Sequence, residues 1–411
     1  MNRNMPLRHS MPAVTRTLRQ TLCALCCLIA VGHARAQAAD DGDHLNFTLS
    51  GEHDWDDNLF RLPDHTLPDR GTRHDEINLI AGAGQLQTFQ GLQQFVLSGT
   101  LEDERFTQNT FLNSVVGNGR AEWDWRTAGD LSGTLGGTFA QQLSGFANNR
   151  SFARDLVDLR QYFASGRLGI GARWALRASG YDQKVTHSLE IYDYDDAHTD
   201  NGSIGIEYKA PTGYVLGWDY KHARTTYTDP TSDYNDNSAL LRWNVQLAGD
   251  LQLTGDAGYQ SRQYTSRTVG NFSGDVWNFG INFQPTARTS LDAAAWRELR
   301  AWLDTTQSAS TTLLNSDHYV SRGVRLAPGW NSGAHWKLTL AGAYEIQDYV
   351  AGDSTTFTRE DKVASSSATL GYGFLKYFDV AFGVRFERRN STNSDYSYDD
   401  RLLNLKLSGS W

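Results

Sequence analysis

The amino-acid sequence predicts an all-β protein: a transmembrane, up-and-down antiparallel outer-membrane β-barrel of about eighteen strands. Three observations carry this expectation. Apolar and polar residues alternate with period two from residue 44 to the last residue. Tight turns and long polar loops follow one another in strict alternation, as the two rims of such a barrel require. Beyond residue 36 nothing approaches the ~18 consecutive apolar residues of a membrane helix, although the chain holds 12 Trp, 18 Tyr and 18 Phe.

The first 36 residues read as a secretory signal peptide. Arg3, Arg8, Arg16 and Arg19 precede the apolar run TLCALCCLIAVG at 21–32, and small residues stand at Ala34 and Ala36. Cleavage is expected after Ala36, which leaves 37–411 as a single barrel domain. Cys23, Cys26 and Cys27 all fall in the leader, so no disulfide or thiol chemistry is expected of the mature chain. Losing five arginines and no acid leaves 33 basic against 47 acidic residues, a net charge of −14. That charge argues against nucleic acid as a partner.

Strands are expected at 44–55, 73–87, 91–106, 111–126, 130–145, 152–167, 170–186, 196–210 and 213–227, then at 233–247, 249–266, 271–285, 288–302, 313–327, 333–349, 361–374, 377–390 and 398–411. The segments 111–126 and 313–327 alternate poorly, so sixteen strands is the alternative count. Short turns fall at 127–130, 210–213, 247–250 and 285–288; long loops fall at 56–72, 186–196, 302–313 and 349–361. Trp123, Trp125, Trp174, Trp243 and Trp336 lie near the turns, while Trp55, Phe106, Tyr181, Tyr227, Tyr264 and Tyr349 lie near the loops. Two such bands are expected to form the interfacial girdles of a membrane barrel.

FDVAFGVRFERR at 378–389 shows the two faces most clearly, with Phe378, Val380, Phe382, Val384 and Phe386 on one side. Asp379, Ala381, Gly383, Arg385, Glu387 and Arg389 take the other. With apolar faces turned to outer-membrane lipid, Arg160, Arg173, Arg177, Arg242, Lys337, Arg385 and Lys406 are expected in the lumen, beside Asp158, Asp219, Asp379, Glu345 and Glu387. Such a wall suits a wet passage for an anionic or sugar-like solute. Pairing of the same charges inside a plugged barrel accounts for them equally well.

The final strand LLNLKLSGSW alternates Leu403, Leu405, Leu407 and Trp411 against polar neighbours and ends on an aromatic residue. It resembles the C-terminal signal of bacterial outer-membrane proteins, which implies the barrel-assembly machinery as a partner. No Gly-x-Ser-x-Gly elbow, His-Glu-x-x-His or Gly-x-x-x-x-Gly-Lys motif is present, so no enzyme, catalytic residue or cofactor is expected. The acidic stretches DYDDAHTDNG at 193–202 and SDYSYDD at 394–400 offer calcium-type oxygens but lack EF-hand spacing. They read as solvated external loops, and no metal is expected.

The stretch DWDDNLFRLPD at 54–64 is a strand end running into a loop. With Phe47, Leu49 and Trp55 toward lipid, Asp54 and Asp56 point inward and Asp57 begins the first external loop. Pro63 and Pro68 stop β pairing, so 59–72 is expected to cap the mouth or fold into it. The run Asp56, Asp57, Asn58, Leu59, Phe60, Arg61 and Leu62 also resembles the start of the exosortase-associated exopolysaccharide biosynthesis outer-membrane proteins, a group within the β-barrel porin type 2 class. RFTQNTFLNSVVGNGRAEWDWR at 105–126 is similar to a second region of that family. The resemblance implies export of a polysaccharide across the outer membrane, alongside periplasmic and inner-membrane export components. It brings no catalytic residues. A general or nutrient porin, and a non-transporting surface anchor, are the alternatives.

Overall fold

The computed structural model describes residues 44–147, 152–265, 271–300, 318–333, 335–350 and 357–411. The leader at 1–36, the loop expected at 302–313 and the centre of the one at 349–361 lie outside these residues. The strands are β1 (His44–Asp56), β2 (Asp75–Gln90), β3 (Gln93–Phe106), β4 (Ser114–Arg126), β5 (Leu131–Leu143), β6 (Leu156–Ile170), β7 (Trp174–His187), β8 (Ala197–Lys209) and β9 (Val215–Tyr227). They continue as β10 (Tyr234–Ala248), β11 (Leu251–Tyr264), β12 (Phe272–Thr286), β13 (Thr289–Arg300), β14 (His318–Asn331), β15 (Trp336–Val350), β16 (Phe357–Leu375), β17 (Phe378–Ser391) and β18 (Tyr398–Ser410).

Each strand pairs antiparallel with the next, and β18 returns to β1 from Thr48↔Ser410 to Asp56↔Leu402. The sheet therefore closes and leaves no edge unpaired. All eighteen expected strands are present. The largest shift is β14, which runs to Asn331 rather than stopping before Pro328. Proline costs little there because the β14–β15 ladder is already interrupted between Leu326↔Gly342 and Gly329↔Thr339. Tight turns such as 210–214 gather at one rim, where Gly213 adopts a φ of 93° that a side chain would oppose. Long connections gather at the other.

Cross-strand partners share a face, so register and exposure together settle which side each residue takes. Leu97, Leu101, Leu135, Ile204, Leu241 and Leu326 form part of an exposed apolar belt on the outside. Trp123, Trp125, Trp174, Trp243 and Trp336 face outward near the turn rim, as the alternation requires. At the loop rim only Trp55 of the expected band faces outward. Phe106, Tyr181, Tyr227, Tyr264 and Tyr349 face the interior instead, and Phe106, Tyr264 and Tyr349 are buried there. The reason is that the lumen is filled at this end, so its wall becomes a protein core. Val157, Val185, Ala197, Tyr319 and Tyr349 pack there as one cluster.

Candidate functional site

The filling begins with the first loop, 57–74. It leaves β1 and dives inward, burying Leu59, Phe60 and Leu62 against Phe106, Leu112, Phe146 and Phe152. Phe60 is 0% exposed and meets the edges of Phe146 and Phe152 at centroid distances of 4.8 and 5.3 Å. The plug is thus built from three loops, those following β1, β3 and β5.

A polar latch turns the chain into this position. The buried side chain of Asn58 donates to the Leu62 and Asp399 carbonyls at 2.9 and 2.7 Å and accepts from the Leu62 N–H at 2.9 Å. Asp56 accepts from the Asn58 N–H at 2.8 Å. Arg61 then donates through one nitrogen to Asp56 at 3.1 Å, to Asp400 at 2.9 Å and to the Asn58 carbonyl at 2.6 Å. Asp57 adds a further rung to the β1–β18 ladder: its N–H donates to the Arg401 carbonyl at 3.1 Å, and its carboxylate accepts from the Arg401 N–H at 2.7 Å. Asp56, Asp57 and Asp400 bring carboxylate oxygens within 4.8 Å of one another, but the Arg61 guanidinium answers that charge. The acidic opening stretch is therefore a latch across the seam between the first and last strands.

A second anchor holds the loop after β5. Arg389, 2% exposed, donates to the Ala147 carbonyl at 3.2 Å and to the Tyr349 hydroxyl at 3.0 Å while paired with Asp361. Asp75 organises the loop after β3 by accepting from the N–H groups of Thr107, Gln108 and Asn109 at 2.9, 2.9 and 2.8 Å.

Deeper in the lumen, Arg177 and Arg242 share Glu207 and Asp219: Arg242 lies 3.3 Å from each and Arg177 lies 3.9 Å from each. Arg385 reaches Asp400 at 3.3 Å, and Lys406 reaches Glu52 at 2.9 Å. Lys337 faces inward near the turn rim, opposite Asn331. Three expected luminal residues, Arg160, Asp158 and Arg173, are placed elsewhere. Arg160 faces outward with Asp158, across from outward Phe139, because β6 has left the hydrocarbon by that height while its inner face, Val157, packs in the core. Arg173 lies exposed in the 171–173 turn, outside any strand. Arg120, Arg167 and Lys221 also face the lumen; continuing the parity of outward Trp123, Leu168 and Trp218 along β4, β6 and β9 is the signal that finds such positions.

The acidic loop stretches divide. Asp399 pairs with Arg388, and Asp400 with Arg61 and Arg385. Asp182, His198 and Asp200 sit exposed on the outer wall. Asp195, in the turn of 3-10 helix Glu190–Asp195, is buried, and that burial pushes its carboxyl up to about 7, with the Asp196 and Asp155 charges adding to the effect. An unfolded Asp ionises near pH ~3.9, so this loop is expected to lose stability as pH rises from about 4 to about 7 and to keep it below. Amide protection across 190–195, taken relative to the base-catalysed exchange of an unfolded peptide at each pH, should fall over that window, and Asp195→Asn should flatten the response.

No protein-family model and no curated protein matches the sequence. Among solved structures, the chain is similar to OccK2 (OpdF) of Pseudomonas aeruginosa, with 11% identity, 90% of this chain and 98% of that one covered, and a TM-score of 0.49. Acinetobacter baumannii OccAB3 gives 12% identity, 90% and 99% coverage and a TM-score of 0.47. The siderophore receptor PirA from Acinetobacter baumannii gives 6%, 91%, 81% and 0.45. These likenesses concern barrel architecture, and nothing about this chain's solute follows from them. Its own geometry decides the compartment: closure satisfies every strand's backbone from within the sheet, and the outer wall is apolar between the rims. The chain is an outer-membrane β-barrel whose first loop folds into the mouth and packs there against the loops after β3 and β5.

Proposed function

We propose that this barrel conducts a saccharide polymer outward during exopolysaccharide export, with its mouth closed at rest by the first loop. The observation that supports this reading is the contrast within the lumen. The wall below is polar and paired in charge, while the mouth holds a hydrophobic cluster whose first loop is fastened by Arg61. A first loop fastened to the last strand by the Arg61 latch suits a passage that opens for cargo better than one that stands open to small solutes. The residues that build the latch are also those that carry the resemblance to exopolysaccharide biosynthesis proteins.

The test is deletion of the gene with complementation, measuring polysaccharide in the medium and in the periplasm. Loss from the medium with accumulation inside is the expected result. Unchanged secretion would sink the export reading and leave an uptake porin or a surface anchor. The anchor reading takes support from the same closed mouth, since a plugged barrel can present its loops without passing anything. Planar-bilayer recordings separate the two: an anchor stays silent even when the latch is removed, whereas a conduit conducts.

A further inference from the structure

Three register lines cross the inner wall from β6 to β11, on the loop side of the Arg177–Arg242 cluster. One runs Ser165, Ser179, Ser203, Lys221, Ser238, Gln260. The next brings Tyr181, Asn201 and Asp236 into line, and the third brings Gln183, Thr199 and Thr225. Among the described residues, members of these lines from β7 to β11 line an open cavity of about 330 Å³, within the ~300–1,000 Å³ range of small-ligand sites.

The chemistry of the lining is distinctive. Asp236 and Arg262 cancel one another through two hydrogen bonds of 2.8 and 2.6 Å, with Arg262 stacked over Tyr234 at 3.8 Å. Apart from Lys221, the other polar side chains of the lining are amide and hydroxyl, each able both to donate and to accept, set among apolar Val185, Leu240 and Leu299. Among the lining residues Gln183 accepts from Gln161 at 3.1 Å, Gln260 donates to Asp236 at 3.3 Å, and Thr199 and Thr225 lie 2.9 Å apart. An anion calls for N–H groups and cations alone, and a metal ion calls for carboxylates. A surface of bifunctional neutral groups matches a ligand whose own groups are bifunctional. That ligand is a polyhydroxylated ring.

We infer that the inner wall of β7–β11 is a binding subsite for an uncharged sugar unit, contacted by Gln183, Thr199, Asn201, Ser238 and Gln260. The inference rests on the saccharide reading above and narrows it: the chain that passes is neutral at this point rather than a polyuronate. Lys221, which also lines the cavity beside Ser238, tolerates a carboxylate but is not what binds the ring.

The test is calorimetric titration of the full barrel, purified in a detergent without a sugar headgroup, with maltohexaose and with an oligogalacturonate of equal length. Maltohexaose is expected to bind and the uronate to bind less well. The pair Gln183→Leu and Ser238→Val should weaken maltohexaose binding by about tenfold, because each strands ligand hydroxyls without partners. Ser367→Val on another part of the inner wall should leave binding unchanged and so control for loss of fold. No binding of maltohexaose, tighter binding of the uronate, or an unaltered Gln183/Ser238 variant would each overturn the subsite. Secretion by the Gln183/Ser238 variant distinguishes the two levels. Normal export despite lost sugar binding removes the subsite and spares the export reading; sugar binding in a barrel whose deletion leaves secretion intact does the reverse.

Discussion

Replacing Arg61 with alanine is expected to cost about 3–5 kcal/mol in the latch, because it leaves buried carboxylates without their cation. Asp400 and Asp56 have side chains 0% and 3% exposed, and both rest on the same Arg61 nitrogen. Arg385 touches the other oxygen of Asp400 at 3.3 Å and cannot serve Asp56 as well. The loop should leave the mouth, seen as faster amide exchange over 57–62 and as larger or more frequent conductance steps in planar bilayers. Arg61 also holds a φ of 55°, a left-handed conformation that costs a non-glycine residue about 1–2 kcal/mol. Arg61→Gly relieves that strain and still strands the charges, so it should open the mouth nearly as well. If it closed more tightly than wild type, the latch would be conformational and not electrostatic. Adding Asp400→Asn to Arg61→Ala should recover part of the loss, and a double-mutant cycle measures how much.

Phe60→Ala is the second large effect, about 3–5 kcal/mol for emptying a fully buried aromatic site, with ~0.5–1.5 kcal/mol of that order tied to each edge-to-face contact. Phe60 meets Phe146 and Phe152 from the loop after β5, so its loss should loosen two loops at once. Urea denaturation of the barrel itself should shift little, since the strand ladder does not pass through Phe60. Protease cleavage within 57–74 should rise sharply. Equal resistance in the variant and the wild type would mean that the polar latch alone holds the loop.

The barrel was legible in the sequence because lipid and water impose opposite demands on successive residues, and strands such as Phe378–Ser391 record both. Legibility fades toward the loop rim for a physical reason. There the outside meets headgroups and the inside meets the plug, so polar residues turn outward and apolar ones inward. Val157 beside Asp158 and Arg160 shows the reversal, and Arg160 was assigned to the lumen because the lipid-facing rule was carried past its limit. The same limit explains why Tyr227, Tyr264 and Tyr349 face the core and not a lipid girdle. The inward turn of 59–72 could be anticipated from Pro63 and Pro68. The partner of Arg61 could not, because Asp400 lies 339 residues away and only closure of the sheet brings it near.

That separation has a consequence for the order of events. Asp399, Asp400 and Arg401, which receive Asn58, Arg61 and Asp57, belong to the last strand to be made. Until β18 has docked on β1, the first loop has nothing to fasten to, and a half-assembled sheet would carry an unsecured mouth. Sealing is then a property of the finished cylinder alone. A cell that inserts this protein fastens its first loop in the same step that completes the wall.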